Sequence, residues 1–125
     1  MVIGLGIDLV EIDRVEAALL RWGNRLVEKL MDPAEADALP AEAPRRGLAV
    51  ALAIAGKEAV SKAIGTGWSR GVQWRHVVVS PGPPAAARLE GRAGDVARSL
   101  GSAGTGRLTL DVEGNLVVAE FRLLS

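Results

Sequence analysis

Leu48-Ala-Val-Ala-Leu-Ala-Ile-Ala-Gly-Lys-Glu-Ala-Val-Ser-Lys-Ala-Ile64 reads as one helix, and its hydrophobic pattern decides the fold class. The first half is apolar on every side, so it must be covered on every side and belongs at the centre of the molecule. Its alanines favour the helix through their high intrinsic propensity. Lys57, Glu58 and Lys62 make the second half amphipathic, and Gly65-Thr66-Gly67 stops the helix with backbone amides that could approach a ligand.

Outward from that helix, Val2 to Ile7 is a short apolar run with two glycines, read as a buried strand. Leu9 to Leu30 carries apolar residues at three- and four-residue steps, which predicts an amphipathic helix with a break near Gly23-Asn24. Asp8 with Glu11 three residues later makes an aspartate version of a capping box at its start. Met31 to Arg46 reads as a loop with a short helix after Pro33. Towards the C-terminus, Val77 to Val79 is a strand, Pro81 to Pro84 a loop, and Arg88 to Glu90 a short strand leading into a helix. Arg107 to Val112 and Leu116 to Leu124 both alternate and flank Glu113-Gly114, which predicts a hairpin. The expected architecture is α+β, one domain over residues 1–125, with an antiparallel sheet packed on a long central helix.

Composition narrows the functions. Fifteen Lys and Arg balance fifteen Asp and Glu, so no strong positive field exists to gather nucleic acid or an anionic membrane. The absence of cysteine excludes disulfides, thiolate metal centres and a thiol nucleophile, and one histidine, His76, excludes a multi-histidine metal site. The N-terminus lacks a positively charged leader, and the apolar stretch Gly47 to Gly56 is ten residues, well short of the roughly 20 needed to cross a bilayer. A cytoplasmic protein is expected.

Glu58 and Lys62 are four residues apart and share a helix face, a spacing that suits an ion pair. Their position, where a buried helix surfaces just before a Gly-Thr-Gly turn, also suits a hard cation with a phosphate: carboxylate oxygens for magnesium, a point charge and amides for the phosphate. Asp8, at the end of the first strand, is the second carboxylate such a site needs, and it reads equally as a helix cap.

Gly4-Leu-Gly-Ile-Asp8-Leu-Val-Glu-Ile-Asp-Arg14 resembles the opening signature of holo-[acyl-carrier-protein] synthases. Gly56-Lys-Glu58-Ala-Val-Ser-Lys62-Ala-Ile-Gly-Thr-Gly67 resembles their second signature at the matching distance, and the likeness continues through Trp74 and the C-terminal hairpin. The resemblance implies a 4'-phosphopantetheinyl transferase-like fold and transfer of 4'-phosphopantetheine from coenzyme A to a serine of an acyl carrier protein. It further implies a homotrimer with sites between subunits. Asp8 and Glu58 would hold Mg2+, with Glu58 and Lys62 catalytic, and Lys62, Gly65, Thr66, Gly67 and Arg45 would bind the coenzyme A. Arg14, Arg21 and Arg25, at three- to four- and seven-residue steps, would dock the acidic carrier protein.

Two positions depart from the family pattern. Ala53 opens Ala53-Ile-Ala-Gly56 where family members carry Arg-Phe-Ala-Ala, and Leu110 is taken at the histidine of a Ser-Leu-Ser-His type motif, read here as Leu108-Thr-Leu-Asp111. Both losses fall on the nucleotide side, where Arg45, Arg46 and Arg107 could restore phosphate contact. They keep open two alternatives: a repurposed member catalysing a cyclisation or isomerisation, and a non-catalytic trimer that binds carrier proteins.

Overall fold

The computed structural model describes all residues, Met1 to Ser125. Strand β1 (Val2–Glu11) leads into helices α1 (Ile12–Trp22), α2 (Asn24–Leu30) and the short α3 (Pro33–Asp37). Helix α4 (Arg45–Ala63) follows, and a single helical turn at Trp74–His76 precedes strands β2 (Val77–Ser80) and β3 (Ala86–Leu89). Helix α5 (Gly91–Ser99) and the hairpin of β4 (Gly106–Glu113) and β5 (Leu116–Leu124) complete the chain. The result is α+β, with a three-stranded antiparallel sheet in the order β1-β5-β4 and a separate antiparallel pair, β2-β3.

Helix α4, 19 residues long, lies against β1, β4 and β5 on one side and β2 and β3 on another. The inward row of β5, Val117, Ala119, Phe121 and Leu123, is fully buried against it, together with Val50 and Val60 of α4 itself. Each large apolar side chain so buried contributes roughly 1.5–3 kcal/mol. The approach of β1 is closer than ordinary side chains allow. A Cβ on Gly6 would stand 1.8 Å from the Ala59 carbonyl oxygen, and one on Gly4 would stand 2.3 Å from that of Ala63. Glycine on the strand and alanine on the helix therefore set the strand-to-helix distance.

The first strand is longer than its sequence suggests, and this corrects the reading of Asp8. β1 stays paired with β5 through Asp8–Ala119 and as far as Glu11–Leu116, so Asp8 sits within the strand rather than at a helix cap. Helix α1 begins only at Ile12, and its first amides are met by the hairpin turn: Ile12 N–H donates to the Asn115 carbonyl at 2.8 Å. Asp13 N–H donates to Asn115 Oδ1 at 3.0 Å, and Asn115 Nδ2 returns a bond to Asp13 Oδ1 at 2.9 Å. A cap supplied from about a hundred residues away leaves no local signal. The break at Gly23 is present: its φ of +54° separates α1 from α2, a backbone conformation glycine accepts without strain. α3 is closed by a capping box between Asp32 and Glu35 with Pro33 at its first position.

Candidate active site

Asp8 points from β1 towards α4, on the same face as Gly6, and its carboxylate is 16% exposed. There it meets Lys62, whose Nζ donates to Asp8 Oδ1 at 2.6 Å and to the Ile7 carbonyl at 3.2 Å. The hydrogen bond that Lys62 donates to the Asp8 carboxylate holds its pKa above the usual lysine value, with the charges of Asp8 and Glu58 acting in the same direction. Lys62 is therefore a fixed cation at neutral pH. The i,i+4 ion pair expected between Glu58 and Lys62 does not form, because the ammonium reaches across to the strand instead. Glu58 is half-buried, its carboxylate bonded to no side chain, while its charge still acts on Lys62. Asp8 and Lys62 thus meet where α4 passes over β1, with the charge of Glu58 felt at the ammonium. No group of three His, Cys, Asp or Glu exists in the chain. Any divalent ion here would depend on oxygen atoms from substrate or water to complete its shell.

The turn that ends α4 is less open than its composition suggests. Gly65 N–H donates to the Lys62 carbonyl at 3.1 Å and Gly67 N–H to the Ser61 carbonyl at 3.1 Å. Thr66 is buried, its Oγ1 donating to the Gly67 carbonyl at 2.9 Å, and its own carbonyl accepts from Ser69 Oγ at 2.6 Å. Of the three loop amides, that of Thr66 alone finds no acceptor within the chain.

One charged group beside the site was missed from sequence. Lys57, next to Glu58, is 0% exposed and donates from Nζ to Glu35 Oε1 at 2.9 Å, to the Trp74 carbonyl at 3.2 Å and to the Val77 carbonyl. Burial pushes its pKa below the usual lysine value, against the pull of the Glu35 carboxylate. Glu35, with a side chain 5% exposed, also accepts from Val79 N–H through Oε2 at 3.0 Å. The signal was available. Lys57 falls four residues after Ala53 and four before Ser61, both buried on α4, so a charge there requires a buried partner.

The arginines are dispersed. Arg14 pairs with Glu11 at 3.6 Å, Arg21 lies over the Trp22 ring at 5.0 Å, and Arg25 belongs to α2 beyond the Gly23 break, so the three do not share one continuous helix face. Arg45 is exposed in the first turn of α4, beside a shallow depression formed by Pro40 to Pro44. Arg46 instead anchors that loop, donating to the Pro40 carbonyl at 3.1 Å and Asn24 Oδ1 at 3.4 Å. A groove of about 410 Å³ opens between α3, α4 and β2, with apolar walls that include Ala49, Ala53, Leu39 and Val78, and with Arg88 in its lining.

A family model described as the 4'-phosphopantetheinyl transferase superfamily matches residues 4–113. The chain belongs to this superfamily. A holo-[acyl-carrier-protein] synthase of Desulforudis audaxviator is 42% identical over 124 residues, covering 95% of this chain and 90% of the relative. The crystal structure of the holo-[acyl-carrier-protein] synthase of Neisseria meningitidis covers 100% of both chains with a TM-score of 0.84 at 24% identity, which establishes the fold. An ACPS–CoA complex of Chronobacterium ammoniagenes is 25% identical with a TM-score of 0.69, covering 97% of this chain and 96% of its own.

In this phosphopantetheinyl transferase Ala53 and Leu110, expected as departures from the family pattern, sit on different elements. Ala53 lines the 410 Å³ groove, where its small side chain leaves space. Leu110 pairs with Ala119 and packs against the core from β4, and Arg107 is exposed on the same strand. No helix of the transferase is long and apolar enough to cross a membrane.

Proposed function

We propose that the chain transfers 4'-phosphopantetheine from coenzyme A to a serine of an acyl carrier protein in a magnesium-dependent reaction, as a single domain in the cytoplasm. The observation that carries this reading is the 2.6 Å hydrogen bond by which Lys62 of α4 reaches Asp8 of β1, with the charge of Glu58 acting on the same ammonium. The hard oxygen donors of Asp8 and Glu58 fit Mg2+, and the pairing of Asp8 with the Lys62 ammonium supports a position that favours positive charge. When bound, magnesium supplies neutralisation of the charge on the pyrophosphate oxygens.

The chain's own groups account for the rest. Lys62, a permanent cation, turns from Asp8 to a phosphate oxygen, and the free Thr66 N–H donates a second bond beside it, with Gly65 and Gly67 shaping the turn. Glu58 takes the proton of the carrier serine as the serine Oγ forms its bond to phosphorus. The bond from phosphorus to the adenosine 3',5'-diphosphate oxygen then breaks, and the electron pair leaves with that nucleotide. Arg45 offers a further phosphate contact at the start of α4.

The docking and assembly parts of the reading rest on the surface. Leu20 is 91% exposed and Trp22 49% exposed beside Arg21, with Arg14 and Arg25 nearby in the chain, a mixture suited to an acidic, partly apolar carrier helix. On the sheet face turned away from α4, Leu5, Ile7 and Leu9 are 54%, 51% and 61% exposed. Such an apolar row supports self-association, with a homotrimer and sites between subunits as the proposed form.

The test is mass spectrometry of an apo acyl carrier protein incubated with the protein, coenzyme A and Mg2+. A gain of one phosphopantetheine arm that disappears with EDTA is the expected result. No gain, together with no calorimetric binding of coenzyme A, would overturn the reading in favour of a repurposed pocket.

A further inference from the structure

The pair Glu35–Lys57 occupies a position that a β-strand would otherwise fill. Strand β2 is bonded only to β3, in the register Val77–Leu89, Val78–Arg88, Val79–Ala87 and Ser80–Ala86. Backbone groups of successive residues point to opposite edges, so those of Val77 and Val79 share one edge. The ammonium of Lys57 donates to the Val77 carbonyl, and Oε2 of Glu35 accepts from Val79 N–H at 3.0 Å. The third donor of Lys57 reaches the Trp74 carbonyl at 3.2 Å, so all three protons of the ammonium have acceptors. A donor and an acceptor are thus presented to β2 in the order a neighbouring strand would present them, and they come from a buried salt bridge between α3 and α4.

The pair holds α4 from the side opposite β1. There, the carbonyls of Ala59 and Ala63 lie against Gly6 and Gly4, which sets how far the helix stands from the strand. On the other side Lys57 points into β2, and since consecutive side chains of a helix are about 100° apart, its direction fixes that of Glu58. The glycines set the distance of α4 from β1, and the ion pair adds a directional contact on the helix's other side. Net stability gives no reason for the charges, because well-packed apolar residues commonly replace a buried ion pair without loss. A defined direction for the adjacent carboxylate does give one.

Resting on the functional reading above, we propose that Glu35 and Lys57 are positioning residues for the Asp8–Glu58–Lys62 site: they complete the free edge of β2 in place of a strand, and so help to fix the direction in which α4 presents Glu58. Lys57 is fully buried, and Glu35, its side chain 5% exposed, also contributes to the wall of the 410 Å³ groove. Their role is carried by polarity against the backbone as much as by mutual attraction.

The experiment compares the full chain with Glu35→Gln, Lys57→Met and the exchange Glu35→Lys with Lys57→Glu. Three quantities are read: kcat and KM for phosphopantetheine transfer per folded molecule, Mn2+ binding by electron paramagnetic resonance, and hydrogen exchange of the Val79 amide. In Glu35→Gln we expect kcat and Mn2+ affinity to fall about 10- to 100-fold, the range for residues that orient metal ligands, while KM for coenzyme A stays within about threefold. Val79 exchange should accelerate. The exchange variant should not recover, because a carboxylate would then face the Val77 carbonyl and an ammonium the Val79 N–H. Should Glu35→Gln fail to fold, Glu35→Asp, which keeps the charge and shortens the reach, is expected to show the same loss of kcat in part. Wild-type kcat and Mn2+ affinity in folded Glu35→Gln or Glu35→Asp would overturn the inference alone, as would full recovery in the exchange variant. A parent chain that neither transfers nor binds Mn2+ would overturn the functional reading and this inference with it.

Discussion

Lys62 Nζ and Asp8 Oδ1 stand 2.6 Å apart although 54 residues separate them, and this contact joins the helix that carries Glu58 to the strand beneath it. The pair is partly exposed, 49% on the lysine side and 16% on the aspartate side, so its direct contribution to stability is at most about 1 kcal/mol. Its importance lies in chemistry. Lys62→Met and Asp8→Asn are expected to lower the rate of phosphopantetheine transfer by roughly 10²-fold or more while Tm falls by no more than about 5 °C. Steady-state kinetics beside thermal denaturation would decide it, and variants that lose stability but keep the rate would contradict it.

Gly6→Ala tests the distance between β1 and α4. The added Cβ would lie 1.8 Å from the Ala59 carbonyl, a backbone atom that cannot turn aside. The variant should lose about 1–3 kcal/mol or more through overpacking, and because Asp8 is two residues on, its transfer rate should fall even at temperatures where it is fully folded. Urea denaturation with activity measured on the folded fraction reads both effects.

Ala53→Arg puts the arginine that the resemblance implies at this position into a groove of about 410 Å³. The added guanidinium should tighten coenzyme A binding about tenfold, equivalent to roughly 1.4 kcal/mol, since charge-assisted bonds to phosphate lie in that range. Calorimetric titration of both proteins checks this. Unchanged affinity would mean that the nucleotide phosphates lie elsewhere.

Ile7→Lys interrupts the exposed apolar row of β1 without touching the core, as the side chain is 51% exposed. The expected outcome is a monomer by light scattering with helix content unchanged and transfer activity lost, since the proposed sites lie between subunits. A variant that remains assembled would locate the interface on another surface.

Arg21→Glu should raise KM for the carrier protein at least tenfold and leave KM for coenzyme A unchanged, with the effect shrinking as salt is added. The guanidinium stands 5.0 Å from the Trp22 ring at the exposed end of α1. Equal loss for both substrates would indicate damage to the fold instead of to docking.

Patterns of short range were legible in the chain alone. The apolar run ahead of Lys57 predicts a covered helix, alternation around Glu113-Gly114 predicts the hairpin, Gly23 marks the break, and two matched signatures identify the family. Each depends on residues within a few positions of one another, where backbone preference and hydrophobic period suffice. What tertiary structure alone decided were the partners of the charged groups. Asp8 was readable as a cap until pairing with Ala119 and contact with Lys62 drew it into the strand, and Lys62 was readable as the partner of Glu58 until β1 offered it a carboxylate and a carbonyl. Lys57 and Glu35, 22 residues apart, meet beside the edge of β2 that no strand pairs. The physical reason is common to all three. A charge leaving water accepts whichever partner the packed chain brings within about 3 Å, and that choice depends on the folded arrangement of distant segments.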